Sequence, residues 1–264
     1  MENVAVNPGY AVNDEEFSTF LSSVLDIGQM MLTSGAEVSR VEDTLRRLCS
    51  AYGCGQVDVF TITSSIVVTV HTHTGKIFTQ TRRITEYLTN MHRIEKCNAL
   101  SRKACSAPLA LPQLQQAIRE IRKEDAYPMG MRMGAYMLIS LSFTLFFGGS
   151  IWDSLAGCLC GLLLFWVTHY CEKLTLQRIV MKMLCSAAVG LSAVILSRLG
   201  LGTSVDKICI GNIMLLIPGI AFTTSLRDMI NGDTISGLLG LCEAVLQALA
   251  IALGFALILW TFGG

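Results

Sequence analysis

The residues best placed to do chemistry lie mostly in the apolar second half of this 264-residue chain. Glu243 stands alone in a final apolar stretch that runs from about Ile235 to Trp260. A carboxylate at that depth in a bilayer costs about 2–3 kcal/mol unless it is paired, protonated or facing water. It is therefore a candidate proton relay, with a structural hydrogen bond to another helix as the plain alternative. Leu216-Ile-Pro-Gly219 contains the only proline after Pro128. Pro218 removes a backbone hydrogen bond and Gly219 permits a bend or break, and broken membrane helices expose backbone groups that can hold substrate or ions. A simple kink is the other reading. Arg227-Asp228 and Gly232-Asp233 form a polar connection between the last two apolar stretches. They read as a solvated cytoplasmic turn with Asp233 capping the final helix, or as part of a transport path. Asp153, just after Gly148-Gly149-Ser150, reads as the marker of a span end at the outer surface.

In the first half, Gly35, Glu37, Arg40 and Glu42 make a tight polar cluster. Ser34 and Glu37 have capping-box spacing, whereas Arg40 and Glu42 are two apart and do not face one another on a helix. His71 and His73 fall on one face of an expected strand, but no third ligand of matching spacing accompanies them, so no metal site is assigned. No nucleophile elbow, phosphate loop or HExxH helix occurs. No cofactor is implied and the case for an enzyme is thin.

These residues sit in two unlike halves. Residues 1–132 hold 14 acidic and 14 basic side chains of the chain's 20 and 20, and 7 of its 23 glycines. The sequence after residue 132 is apolar and glycine-rich, which lifts mean hydropathy for the whole chain to +0.53. A water-soluble half followed by a membrane half accounts for this split. Neither half carries the basic face that nucleic-acid binding requires. The acidic N-terminus lacks the apolar core of a signal peptide. Ten cysteines without a CxxC pair read as reduced thiols.

Residues 1–13 read as a disordered tail and 14–128 as a cytosolic α+β domain. Helical spacing runs through Phe17, Phe20, Leu21, Val24, Leu25, Gly28, Met31 and Leu32, then through Val38, Val41, Leu45, Leu48 and Tyr52. After Gly55 the period becomes two. Gln56–Ile62, Ser65–Thr72 and Lys76–Thr81 predict a small antiparallel sheet, with Thr74-Gly75 as a turn. Helical patterns return near Tyr87–Cys105 and from Leu111 to Ile121.

Residues 129–264 predict a polytopic α-helical membrane domain of about five spans, near 133–152, 154–171, 183–199, 208–226 and 235–261. Lys182 and Arg198, flanking the short third span, would snorkel outward. Basic residues favour the side carrying Arg122, Lys123, Arg132, Lys173, Arg178, Lys182 and Arg227 over that carrying Arg198 and Lys207. The expected topology is a cytoplasmic N-terminus and an outside C-terminus in the cell (inner/plasma) membrane.

Taken together, Gly35-Ala-Glu-Val-Ser-Arg-Val-Glu42, Tyr52-Gly53 and the Val/Thr-rich strands, Phe147-Gly-Gly-Ser-Ile-Trp-Asp153, and Ile217-Pro-Gly219 followed by Arg227-Asp228, Gly232-Asp233 and Gly237 resemble the threonine/serine exporter family. The resemblance runs from about Phe17 to Trp260 and is closest to the shorter, two-component members similar to YjjP. It implies an inner-membrane exporter driven by the proton gradient. The implied cargo is threonine or serine, as for fused members, or a succinate-like dicarboxylate, as for split ones. It also implies a smaller membrane subunit similar to YjjB, or self-association as a homo-oligomer. Gly157 and Gly161 offer a small-xxx-small face compatible with close helix packing.

Two functions follow as expectations. The first is a secondary exporter of small polar metabolites, its path built from Pro218, Gly219, Arg227, Asp228, Asp233, Glu243 and Asp153, with Glu243 or Asp228 as the proton-linked carboxylate. The second is a membrane-anchored enzyme or sensor whose cytosolic α+β domain carries the activity. Five spans exceed what anchoring requires, and Glu243 has no part to play in an anchor.

Overall fold

The computed structural model describes residues 14–85, 89–123, 127–174 and 176–262. The expected tail and Tyr87 and Leu88 lie outside the described residues, and the helix expected near Tyr87 starts at Met91, where the Asn90 side chain accepts from the Arg93 amide. The chain gathers into two compact units, one made by residues up to Ala126 with Ile220–Leu241, the other by Tyr127–Gly219 with Cys242–Gly264.

The first unit is α+β. Helices α1 (Asp14–Thr33) and α2 (Val38–Ala51) are followed by strands β1 (Val57–Ile62), β2 (Ser65–His71) and β3 (Ile77–Arg83), then by α3 (Met91–Ser106) and α4 (Leu111–Lys123). The strands pair antiparallel in the order β1-β2-β3, with Val59 opposite Val68 and Val68 opposite Gln80. Ile66, Val68 and Val70 alternate inward and join Leu21, Val24, Leu25, Leu45, Leu48 and Leu114 in one core. Period two places these β-branched side chains on one face, as the alternation requires. Gly28 lets α2 approach α1, because a Cβ there would lie 3.0 Å from the Leu45 methyls. Strand β2 ends at His71, so His73 lies in the following turn and the expected shared strand face is not formed. Among the described residues no group of three His, Cys, Asp or Glu side chains could hold a metal ion.

The second unit contains α5 (Met129–Phe146), α6 (Ile151–Lys173), α7 (Arg178–Arg198) and α8 (Val205–Leu216). Helix α9 (Gly219–Ile230) belongs almost wholly to the first unit, and α10 (Thr234–Phe262) contributes residues to both. Helices α5, α6, α7 and α10 are long and apolar enough to cross a membrane; α8 and α9 make a fifth candidate span if the broken pair counts as one.

Three expected boundaries shift for identifiable reasons. The first span ends at Phe146 and not near 152, because Ser150 and Asp153 form a reciprocal capping box that starts α6. The third begins at Arg178, five residues before the expected start, since a charge can sit in the first turn of a helix. The fourth is interrupted at Ile217-Pro218, where Ile217 is extended (φ −59°, ψ 129°), as a residue preceding proline tends to be.

Gly157 and Gly161 face α5 of the same chain, in the close helix packing that their small-xxx-small spacing suits. A Cβ on Gly157 would lie 2.5 Å from Thr144 Oγ1, and one on Gly161 would lie 2.8 Å from the Tyr136 carbonyl. Buried polar groups tie these helices together. Ser140 donates to Asn212 Oδ1 at 2.8 Å, and Asn212 donates through Nδ2 to the Ile208 carbonyl at 2.9 Å and the Gly157 carbonyl at 3.4 Å. Hydrogen bonds of this kind, with small residues between backbones, hold helices together where no hydrophobic gain separates protein from lipid.

Candidate functional site

The first unit brings the polar cluster of residues 35–42 onto the Arg227-Asp228 connection. Gly35, at φ +93°, turns the chain between α1 and α2 in a conformation that favours glycine. Glu37 occupies the N-cap position of α2 but makes no side-chain capping bond, and Ser34 Oγ is buried without a partner among the described residues, so the expected capping box is not formed. The capping acceptor comes from far along the chain. The Val38 amide donates to Asp228 Oδ1 at 3.1 Å, and Glu37, freed from capping, forms an ion pair with Arg227.

Asp228 is 6% exposed while Arg227, Asn231 and Gly232 are exposed, so this one carboxylate departs from the solvated turn that composition suggests. Its backbone is fixed as well: the Asp233 amide donates to the Asp228 carbonyl at 2.9 Å, and Gly232 takes φ +99°. Gly237 presses α10 onto α9, where a Cβ would lie 2.6 Å from the Ser225 carbonyl. Arg40 is exposed on α2. Glu42 faces another way, accepting from Arg46 at 2.6 Å and from the Thr61 amide at 2.9 Å.

In the second unit three polar constellations stand out. Asp153 is 1% exposed and accepts from the Ser150 amide and hydroxyl, both at 2.8 Å, and from the Thr203 and Ser204 amides at 2.6 and 2.9 Å. It is a buried clasp between two loops, in the first turn of α6. Glu243 is paired: Arg178 Nη1 lies 3.2 Å from its Oε1. The expected isolated carboxylate is thus half of an ion pair, with Gln247 a turn further along also donating to it at 3.4 Å.

The third constellation involves a residue that the sequence marked only as a flank. Lys182, one turn after Arg178 on α7, does not snorkel outward; its ammonium donates at 2.8 Å to the carbonyl of Leu216, the last residue of α8 before Pro218. The carbonyl that the helix break leaves at the end of α8 is therefore capped by a cation, which suits the negative end of the helix dipole. Neighbouring positions on α7 thus serve the break (Lys182) and the membrane carboxylate (Arg178). Pro218 and Gly219 supply the break itself. Lys182, Arg178, Ser140 and Asn212 were missed by reasoning from sequence; a polar Asn in the middle of an apolar stretch was the one signal available for the last of these.

A family model described as "Putative threonine/serine exporter" (ThrE) matches residues 22–262. No curated protein and no solved structure matches the chain.

Proposed function

The chain belongs to the threonine/serine exporter family, and from that membership we propose that it is a component of a secondary exporter of small polar metabolites. The cargo is threonine, serine or a dicarboxylate such as succinate, and export is driven by the proton-motive force. The protein works with a second, smaller membrane subunit, in the cell (inner/plasma) membrane, with its N-terminus in the cytoplasm. Its family is one of transporters, and its apolar helices suit a membrane protein.

The observation that carries the reading is the arrangement along α7. Arg178 engages Glu243 and Lys182 engages the Leu216 carbonyl beside the Pro218 break. A carboxylate held by a cation within a membrane unit is a switchable element: protonation of Glu243 dissolves the pair and frees Arg178. Moving one charge across the membrane potential is worth about 2.3 kcal/mol per 100 mV, enough to drive useful export with one proton. Asp228, buried against the first turn of α2, is a structural tie as well as the other candidate proton-linked carboxylate.

The test is efflux from vesicles loaded with serine or succinate under an imposed proton gradient. Glu243→Gln inserts normally and loses gradient-dependent efflux; efflux equal to wild type would sink this assignment.

A further inference from the structure

We infer that Lys182 is the residue that receives a carboxylate of the exported molecule, exchanging its bond to the Leu216 carbonyl for one to the substrate. The inference rests on the exporter reading and deepens it by naming the group recognised and the residue that recognises it.

Four observations point there. Lys182 is half-buried within the second unit, and its only hydrogen bond among the described residues is to a neutral carbonyl. Among the described residues no carboxylate lies within ion-pair distance of it, unlike Arg178, which has Glu243, and Arg132, which has Glu172 at 4.0 Å. Arg198 and Lys207 also donate to carbonyls, of Phe262 and Gly148, but both contacts are exposed. Lys182 alone of these joins partial burial, an uncompensated charge and a helix break.

Chemistry supplies the rest. An ammonium has three donors, and one carbonyl uses one of them. The bond to the Leu216 carbonyl already has a charged donor; a carboxylate brings the full opposite charge as well, so an arriving carboxylate displaces the carbonyl without leaving the cation bare. When it does, the Leu216 carbonyl loses its cap at the Pro218 interruption. Recognition and release of the break are then a single exchange. Arg178, one turn away on the same helix, adds to the positive field while its own charge is held by Glu243.

The experiment uses the full-length protein in lipid nanodiscs, with radiolabelled serine and succinate in equilibrium binding and ethanolamine, which lacks the carboxyl group of serine, as competitor. Wild type binds the labelled carboxylates and ethanolamine fails to compete. Lys182→Gln weakens binding by about 10- to 100-fold with the number of sites unchanged, and Lys182→Arg restores most of the affinity. Wild-type affinity in Lys182→Gln, or competition by ethanolamine equal to that by serine, overturns the inference. So does a loss of sites at unchanged affinity, which marks Lys182 as a purely structural cap. Wild-type protein that exports only molecules without a carboxyl group overturns the inference and the proposed cargo but leaves export itself standing; absence of any efflux with the second subunit present removes the exporter reading.

Discussion

Asp228 Oδ1 accepts the backbone N–H of Val38 at 3.1 Å across 190 residues of sequence, so the first turn of α2 is capped by the polar connection that precedes α10. The neighbouring pair, Glu37 with Arg227, spans the same sequence distance. Two motifs that look independent in the sequence are thus one structural joint within the first unit.

Removing the joint destabilises that unit. Asp228→Ala leaves a buried amide without an acceptor and costs about 1–3 kcal/mol, read as a lower midpoint in thermal unfolding of the detergent-solubilised protein. Asp228→Asn keeps an acceptor oxygen and loses less. Glu37→Gln costs under about 1 kcal/mol, since Arg227 is largely exposed and exposed ion pairs contribute little.

Asp153→Asn is more damaging than its position beside a glycine pair suggests. One carboxylate serves four donors, and an amide has only one oxygen to share among them. The expected outcome is reduced folded yield and faster proteolysis near residues 199–204, measured by limited digestion in detergent.

Gly161→Ala and Gly237→Ala both fail through backbone contact. The added methyl meets the Tyr136 carbonyl at 2.8 Å in one case and the Ser225 carbonyl at 2.6 Å in the other. Overpacking of this kind typically costs about 1–3 kcal/mol. Gly130→Ala, with nothing within 4 Å, is the control and leaves stability unchanged. Size-exclusion profiles of the three variants check this.

Cys97, in the core of the first unit, resists alkylation. Burial pushes its thiol up to about 12 and the side chain is fully enclosed. Only the thiolate is nucleophilic, so raising the pH from 7 to 9 leaves Cys97 unlabelled by iodoacetamide in the native protein. It labels once the unit is unfolded, and mass spectrometry of tryptic peptides distinguishes the two.

Period and composition carried much of the fold. The stripes from Phe20 to Leu32 and from Val38 to Leu48 became buried faces of α1 and α2, and the alternation in Ser65–His71 became the central strand. What stayed hidden was partnership. Glu37 has the spacing of a local capping residue, but its partner, Arg227, is supplied by tertiary structure. Glu243 looks solitary because Arg178 sits 65 residues earlier, at the start of another helix. Lys182 looks like a flank because charge-free run lengths say nothing of where a side chain turns. Local pattern fixes which face is apolar; it does not reveal which distant group completes a polar atom's hydrogen bonds.

The twelve residues of α8 have a consequence for how the protein is made. At about 1.5 Å per residue they extend about 18 Å, well short of a hydrocarbon core of about 30 Å. They also carry Asn212, whose bonds run to Ser140 on α5 and to Gly157 on α6. Such a segment has little reason to enter lipid by itself. Its lodging must await the α5–α6 hairpin, which leaves the ribosome first, so the order of synthesis becomes the order of assembly. A chain with that hairpin deleted would stall with α8 outside the bilayer.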